Sequence, residues 1–312
     1  MTLRQKQVKN KKYYYLDLSY AVLGKTKTFS KYIGSKKPNQ KELNTINNKF
    51  KDEIIIKLSK KLYSQKYISK DEVIKSLLFR EAFLKKYNFL TTVGKKKYDI
   101  ESIDYFTLTT LTTEEIEVNI KDIINARNKK SALTQREQIS KNMINAIESI
   151  KKSLPLTRIN FLGLHKTIMN TFKEKRPGLI RNKNVHLYTN SEKESLGREL
   201  IYAPPHYNQV SDLLNEFLEW FEKNDLNPIE KSAISHYKLY KLHPFLDGNK
   251  RMCRLILNKN LFSEQFPLLN ISKNKTEYFD AIIKSVEQNK PQILVDFTLK
   301  TYYLQIKEFL KK

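Results

Sequence analysis

The sequence has 312 residues, enough for a sizeable buried core, and carries a net charge of +25. Its one cysteine excludes an internal disulfide and suits a reducing compartment. No apolar run approaches the roughly 20 residues that cross a bilayer, and the first residues lack the apolar core of a signal peptide. We therefore expect a cytoplasmic protein with no membrane contact.

Residues 1–38 are predicted to form a basic, tyrosine-rich β-hairpin. Two runs of β-branched and aromatic residues, at 13–23 and 26–33, flank Gly24-Lys25. Residues 1–70 hold 18 Lys and Arg against 4 Asp and Glu, a charge density that attracts phosphate backbones. DNA binding by this hairpin is one hypothesis. The other hypothesis is a hairpin that packs on the rest of the protein. The many lysines would then reflect an AT-rich genome and not selection for DNA binding.

From about residue 39 the apolar periodicity is helical, and the predicted fold class is mainly α. We expect a helical N-terminal region, a main domain and a C-terminal helix end, at 39–111, 112–300 and 301–312. Thr134-x-x-Glu137 is a capping box, and Asn227 before Pro228 is typical of another helix start. Seven glycines with no Gly-x-x-x-x-Gly-Lys argue against a P-loop or a dinucleotide-binding sheet.

The segment 243–254 follows that last predicted helix, and its sequence is His-Pro-Phe-Leu-Asp-Gly-Asn-Lys-Arg-Met-Cys-Arg. His243 is a candidate general base, because imidazole takes a proton near neutral pH. Asp247 offers a hard oxygen ligand of the kind that Mg²⁺ prefers. A base and a metal ligand at this spacing indicate a site for nucleotide chemistry.

The same segment predicts a phosphate-binding turn. Gly248 and Asn249 free the backbone to turn, and the apolar spacing beyond them predicts a helix from about Lys250. The turn then directs backbone N–H groups and the positive end of the helix dipole at an anion. Arg251 and Arg254 lie on one helical face, where both guanidiniums can bind phosphate oxygens.

The segment resembles the signature of the Fic family, His-x-Phe-x-Asp/Glu-Gly-Asn-Gly-Arg-x-x-Arg, with Lys250 in the place of one glycine. Lysine at this position is seen in the Doc branch, which transfers a phosphoryl group, whereas Arg254 is kept in members that transfer AMP. The resemblance implies a protein adenylyltransferase, with a Doc-like phosphotransferase as the alternative. A third hypothesis is a DNA-binding or interaction protein with a silent Fic core.

The resemblance also implies a Fic-type helical bundle with a small β-hairpin flap, and it assigns ATP and Mg²⁺ to the site. It implies that His243 deprotonates a Ser, Thr or Tyr hydroxyl of a protein substrate, or of the chain itself, as that hydroxyl attacks the α-phosphorus. It further implies that Asp247 holds Mg²⁺. The implied phosphate-binding residues are Gly248, Asn249, Lys250, Arg251 and Arg254. Oligomeric state tunes inhibition in relatives, so a homodimer is a further expectation.

The resemblance extends over about residues 112–300. Pro177-Gly-Leu-Ile-Arg181 is similar to the family's Pro-Gly-x-x-Arg segment, and residues 191–195 are predicted to form a polar loop. Asn274-Lys-Thr-Glu-Tyr278 resembles a helix start near the adenine, where Tyr278 either stacks on the base or is an ordinary core tyrosine. An exposed strand edge captures extended peptides by main-chain hydrogen bonds, and the implied docking flap consists of Ile201, Tyr202, Ala203 and Pro204.

Thr113-Glu-Glu-Ile-Glu117 is similar to the family's autoinhibitory pattern, Ser/Thr-x-x-x-Glu-Gly/Asn, with Val118 at the last position. The resemblance implies that Glu117 pairs with Arg254 and so keeps ATP in an unproductive position. Some relatives use this glutamate to remove AMP again, which makes AMP removal a second implied activity. The alternative is a solvated acidic turn.

Overall fold

The computed structural model describes residues 1–22, 25–61, 63–129, 133–152, 155–188 and 200–311, so the predicted polar loop at 191–195 lies outside the described residues. Helices dominate these ranges, which confirms the mainly α fold class. The strands are β1 Thr2–Val8, β2 Lys11–Val22, β3 Lys25–Gly34, β4 Leu187–Tyr188 and β5 Leu200–Tyr202. The helices are α1 Gln40–Lys61, α2 Lys70–Phe89, α3 Thr92–Thr112, α4 Ile120–Asn128, α5 Gln135–Lys151, α6 Arg158–Ile168, α7 Val210–Lys223, α8 Pro228–Leu242, α9 Asn249–Ser263, α10 Lys275–Glu287 and α11 Pro291–Lys311.

The first three strands form an antiparallel sheet in the order β1-β2-β3. The predicted N-terminal hairpin is β2 and β3. The sequence prediction lacks β1 because this strand is polar and exposed, as edge strands often are, and has no apolar alternation. Leu16, Leu18 and Tyr20 are buried on the inner face, and Lys31 pairs with Glu53 of α1 at 2.6 Å. The sheet is thus held against the helices by one face.

The helical part is organised around α8 and α9, which pack against each other. α11 packs on α8 and α2, and α5 packs on α9 and α6. The predicted starts of two of these helices are confirmed: Thr134 and Glu137 form the capping box of α5, and Asn227 caps α8 with Pro228 in its first turn. Local capping chemistry therefore sets where α8 begins, one helix before the predicted site.

Helix α9 is almost wholly buried, which explains why it can position a site. Its apolar side chains Met252, Leu255, Ile256 and Leu257 are fully buried, as is Cys253. Each such burial stabilises the fold by about 1.5–3 kcal/mol for the larger side chains. The N-terminus of α9 is therefore held rigidly relative to α8.

The predicted domain boundaries stay predictions, with one exception. α11 is continuous from Pro291 to Lys311, so the predicted end of the main domain at residue 300 falls inside a helix. In the ranges that the structure describes, no helix has both the length and the apolar character needed to span a membrane.

Candidate active site

His243 ends α8 in a left-handed conformation, with φ of 45°. This conformation is strained for a residue with a side chain, and strain of this kind persists only where surrounding contacts enforce it. The N–H of His243 donates to the Leu239 carbonyl at 3.0 Å. Arg181 Nε donates to the His243 carbonyl at 2.8 Å. Contacts on both sides of the residue therefore fix the predicted base at the end of the helix.

The imidazole of His243 is arranged to accept a proton. Its Nδ1 lies 3.4 Å from the Tyr240 carbonyl, and a carbonyl only accepts, so Nδ1 carries the hydrogen and Nε2 keeps its lone pair. Burial lowers the pKa of His243 to about 4, and the positive charges of Arg181 and Lys250 act in the same direction. The ring is therefore neutral near pH 7, as a general base must be.

The loop after His243 is shaped by Asn249 and Gly248. Asn249 is buried; its Oδ1 accepts the Phe245 N–H at 3.0 Å and its Nδ2 donates to the Phe245 carbonyl at 2.9 Å. The side-chain amide of Asn249 therefore positions the loop, and the predicted phosphate contact of this residue falls to its backbone N–H and stays a prediction. Gly248 has φ of 79°, and a Cβ there would lie 2.8 Å from Met169 Sδ. Glycine is thus required at this turn.

The N-terminus of α9 is open to an anion. Among the described residues no side chain caps it, and Met252 N–H, bonded to the Gly248 carbonyl at 3.0 Å, is the first to bond back along the helix. Within the same part of the chain, the N–H groups of residues 249–251 are free donors at the positive end of the dipole. Arg251 is buried beside them, and among the described residues its Nε and Nη1 have no hydrogen-bond partner. Buried donors left unpaired are costly, which favours a bound anion here.

Asp247 stands at the same helix end, with its side chain 42% exposed. Its Oδ1 accepts the Gly248 N–H at 2.5 Å and lies 3.4 Å from Arg251 Nη2. Mg²⁺ usually binds through one or two carboxylates together with substrate phosphates and water. In the described ranges, no three His, Cys, Asp or Glu side chains gather around a common point. Asp247 therefore suits Mg²⁺ only when a nucleotide supplies the other oxygens.

Two residues position the loop by contacts that the sequence does not reveal. His165 of α6 accepts the Gly178 N–H at Nδ1, 2.9 Å away, and so donates from Nε2 to the Asp247 carbonyl at 3.0 Å. Its ring stacks on Phe245 with centroids 3.5 Å apart. Burial lowers the pKa of His165 to about 4, so it stays neutral. Arg181 is buried and also donates to the Pro205 carbonyl. The Pro-Gly-x-x-Arg resemblance marked this segment but gave Arg181 no role.

Arg254 is fully buried and pairs with a glutamate, though not with the one predicted. Its Nη2 donates to Glu114 Oε1 at 2.7 Å and to the Thr110 carbonyl at 3.1 Å. Lys250 Nζ lies 3.3 Å from Glu114 Oε2. Burial alone raises the pKa of Glu114, but the charges of Arg254 and Lys250 bring it below its usual value. Glu114 is therefore a carboxylate clamped between two cations.

The predicted pairing of Glu117 with Arg254 is wrong. Glu117 is 83% exposed and pairs with Arg136 on the surface. Thr113 is buried, and its hydroxyl donates to the Thr109 carbonyl within α3. Arg254 pairs with Glu114 and not with Glu117 because of where α3 ends. Glu114 is the last residue before the chain turns away from the helix axis. Glu117 lies beyond that point and faces solvent.

The end of α3 is a Schellman motif. The Ile116 N–H donates to the Leu111 carbonyl at 3.2 Å and the Glu115 N–H to the Thr112 carbonyl at 3.1 Å, with Glu115 left-handed at φ of 61°. Gly and Asn are the residues that favour this conformation. The pattern Ser/Thr-x-x-x-Glu-Gly/Asn is thus matched in spacing by Thr110 to Glu114, with Glu115 at the Gly/Asn position. The sequence prediction placed the pattern three residues downstream, at Thr113 to Glu117, because Glu115 lacks the Gly or Asn that marks the turn.

The predicted adenine contacts are corrected in part. Tyr278 is fully buried; its hydroxyl accepts from Arg254 Nη1 at 3.2 Å and lies 2.9 Å from His236 Nε2. Its ring is part of the core, so it cannot stack on a base without rearrangement, and the core alternative is the one observed. Asn274 is exposed and caps α10 by accepting the Glu277 N–H at 3.3 Å. Its contact with adenine stays a prediction.

The predicted flap contains a short hairpin. β4 and β5 pair antiparallel, with Leu187 opposite Tyr202, and within the described residues β5 has no strand on its other side. Ile201 and Tyr202 lie in β5, and Ala203 and Pro204 follow it. Arg181 links this segment to the site, because it donates to both the Pro205 and His243 carbonyls. Docking of a target on these residues stays a prediction.

Together these elements define a helical domain in which the His243 loop leads into the N-terminus of α9. Residues 155–261 match the model of the Fic/DOC family. Proteins named protein adenylyltransferase Fic are 26% identical over 165 residues in Drosophila grimshawi and 29% over 135 residues in Nematostella vectensis. These alignments cover 51% and 42% of this chain, and 32% and 29% of the relatives. The chain therefore spans about a third of the length of the curated relatives that it matches.

Solved structures agree on the fold. A Fic family protein from Desulfovibrio desulfuricans has a TM-score of 0.64 at 18% identity, covering 80% of this chain and 77% of that one. Fic-1 from C. elegans has a TM-score of 0.63 at 18% identity, covering 88% and 78%. The match of residues 155–261 to the Fic/DOC family model agrees with the signature resemblance. The Fic-type helical bundle is likewise confirmed.

Proposed function

We propose that this chain transfers AMP from ATP to a hydroxyl of a protein side chain. The observation that carries the proposal is the neutral imidazole of His243 beside the uncapped N-terminus of α9 and the unpaired donors of Arg251. The names of the curated relatives support it, since these are protein adenylyltransferases. The retained Arg254 also favours this reaction over phosphoryl transfer.

In the proposed reaction, the hydroxyl of a Ser, Thr or Tyr loses its proton to Nε2 of His243 as its oxygen attacks the α-phosphorus of ATP. A new P–O bond joins AMP to the protein, the bond to the β-phosphate oxygen breaks, and pyrophosphate leaves. Backbone N–H groups of α9 and the guanidinium of Arg251 offset the charge that develops on the leaving group. Mg²⁺, when held by Asp247, would neutralise part of the phosphate charge.

We further propose that Glu114, and not Glu117, holds the site inactive. Its carboxylate binds the guanidinium of Arg254 at 2.7 Å, and the family resemblance assigns that guanidinium to phosphate binding. A phosphate and a carboxylate compete for the same donors, so ATP reaches its productive position only when Glu114 moves away. Arg254 is fully buried and the Glu114 side chain nearly so, and separating them leaves a buried charge without its partner. The inhibitory ion pair is therefore strong.

Lys250 keeps phosphoryl transfer as the second candidate. The resemblance connects lysine at this position with the Doc branch, and Lys250 Nζ stands within 4.9 Å of the Phe279 ring centroid, at the edge of the phosphate-binding turn. In the reaction favoured here it adds a second cation that holds Glu114. The family resemblance predicts removal of AMP with Glu117 as the assisting carboxylate; because Glu114 is the residue that contacts Arg254, we assign this predicted role to Glu114.

The test uses ATP carrying a radioactive label at either the α- or the γ-phosphorus. The Glu114→Gly variant is incubated with each, and the protein is separated from free nucleotide. We expect label from the α position alone, and no label after His243→Ala is added to the same variant. ATP binding by the double variant, measured by calorimetry, controls for its fold. Label retained without His243 removes this residue as the base.

A further inference from the structure

The outer face of the N-terminal sheet presents a cluster of tyrosines. Register places Tyr15 of β2 between Arg4 of β1 and Tyr32 of β3. The rings of Tyr15 and Tyr32 have centroids 5.4 Å apart, and those of Tyr13 and Tyr32 are 6.1 Å apart. The guanidinium carbon of Arg4 stands 4.9 Å from the Tyr15 centroid. Tyr32 is 51% exposed. We call Tyr13, Tyr15 and Tyr32 the tyrosine face.

The side chains of the tyrosine face do not form part of the hydrophobic core. Residues of alternate parity, Leu16 and Leu18, supply the buried inner surface of the same strand. On an outward sheet face that only meets water, polar and charged residues suffice, so adjacent aromatic rings there call for another explanation. A surface made of neighbouring aromatic rings offers π-faces on which planar ligands can stack.

The charge around this face is strongly positive. Residues 1–38 contain ten Lys and Arg against a single Asp, a net charge of +9. That Asp17 is itself paired with Arg4 at 2.7 Å. Lys6, Lys11 and Lys12 are exposed, and none of them forms an ion pair with another described residue. Lys6 lies directly opposite Tyr13 in the register, and Lys11 precedes Tyr13 by two residues in β2, so both border the rings on the same face.

We propose that the tyrosine face binds single-stranded nucleic acid, a function separate from AMP transfer. Unpaired bases stack on aromatic side chains while lysines along the rim contact the phosphates, which is how sheet surfaces bind single strands. A duplex keeps its base faces inside the helix, so the tyrosine rings cannot stack on them. The aromatic cluster thus selects a single strand over duplex DNA, and the positive charge supplies affinity for either.

The experiment measures fluorescence anisotropy of a labelled oligothymidylate of about 20 nucleotides, and of a duplex of equal length, with the full chain. Tyr15→Thr with Tyr32→Thr removes the rings and keeps residues that favour strands. We expect this variant to bind the single strand about tenfold or more weakly, with an unchanged dependence on salt. Lys6, Lys11 and Lys12 changed to Ala should lower the slope of log affinity against log salt by about 2.

The matched control changes Lys121, Lys284 and Lys307 to Ala, which removes the same charge from exposed helical positions. It should bind like the unchanged protein, and so should His243→Ala, because binding is separate from the transfer site. Thermal unfolding of the tyrosine variant establishes that it is folded. Equal binding by the folded tyrosine variant, equal affinity for the duplex, or an equal loss in the control would each overturn the proposal.

Discussion

Glu114 Oε1 lies 2.7 Å from Nη2 of Arg254, while Glu114 Oε2 lies 3.3 Å from Nζ of Lys250. One carboxylate therefore joins the last arginine of the signature to the residue that departs from it. The Schellman motif at the end of α3 sets the direction of this carboxylate. The same geometry accounts for the exposure of Glu117, three residues further on.

Replacement of Lys250 by Gly should loosen Glu114 and raise self-modification about fivefold. The contact is partly exposed, and such a pair contributes about 1 kcal/mol, which corresponds to that factor. Lys250→Arg keeps a cation within reach and should stay close to the unchanged protein. Initial rates of label incorporation from ATP provide the comparison. A fall in the rate for Lys250→Gly would instead assign Lys250 to phosphate binding.

Glu115→Gly should stabilise the protein by about 0.5–1 kcal/mol, because glycine adopts the left-handed conformation of residue 115 without strain. Glu115→Ala is the matched control, since it removes the same charge and keeps a Cβ. The free energies of unfolding in urea distinguish the relief of backbone strain from the removal of the charge. Equal stabilisation by both variants would indicate charge and not backbone conformation.

Arg181→Lys should slow transfer about 100-fold in the Glu114→Gly background. The lysine keeps the charge but cannot donate at once to the carbonyls of His243 and Pro205, and a base displaced by about 1 Å can cost this much. The affinity for ATP should change little, because Arg181 contacts the loop and the flap. A loss of ATP affinity with normal turnover would contradict this positioning role.

Stability should fall as the pH drops from about 6.5 toward 5. The pKa values of His165 and His243 are lowered to about 4 and that of His236 to about 3, mainly by burial. The unfolded chain binds protons at pH values where these folded histidines do not, so each contributes a slope of about 1 kcal/mol per pH unit in this window. Stability is thus fully present above pH 6.5. The free energy of unfolding of His165→Asn, measured in urea at several pH values, should depend on pH less steeply, by the contribution of one histidine. An unchanged pH dependence would contradict the buried neutral state of His165.

The sequence predicts those features whose physics is local. The capping residues Thr134 and Asn227 give the helix starts, and the spacing from His243 to Arg254 gives the signature loop. β1 is missed because an exposed edge strand carries no apolar alternation. The burial of Tyr278 depends on packing against helices distant in sequence, and so does the bridging role of Arg181. Such contacts leave no local pattern.

The incorrect prediction of Glu117, in place of Glu114, as the partner of Arg254 has a more specific cause. Both residues fit a Thr-x-x-x-Glu spacing, and only the place where α3 ends distinguishes them. A glycine or asparagine at position 115 would have marked that end. With Glu115 there, helix propensity alone does not locate the turn, because glutamate is a good helix former.

The central claim is best tested by the intact mass of two variants, Glu114→Gly and Glu117→Gly, each incubated with Mg²⁺ and ATP. We expect a gain of about 329 Da, one AMP, for Glu114→Gly and no gain for Glu117→Gly. A gain of about 80 Da would mean phosphoryl transfer, and an equal gain in both variants would mean that Glu114 does not hold the site inactive. Either result would contradict the account.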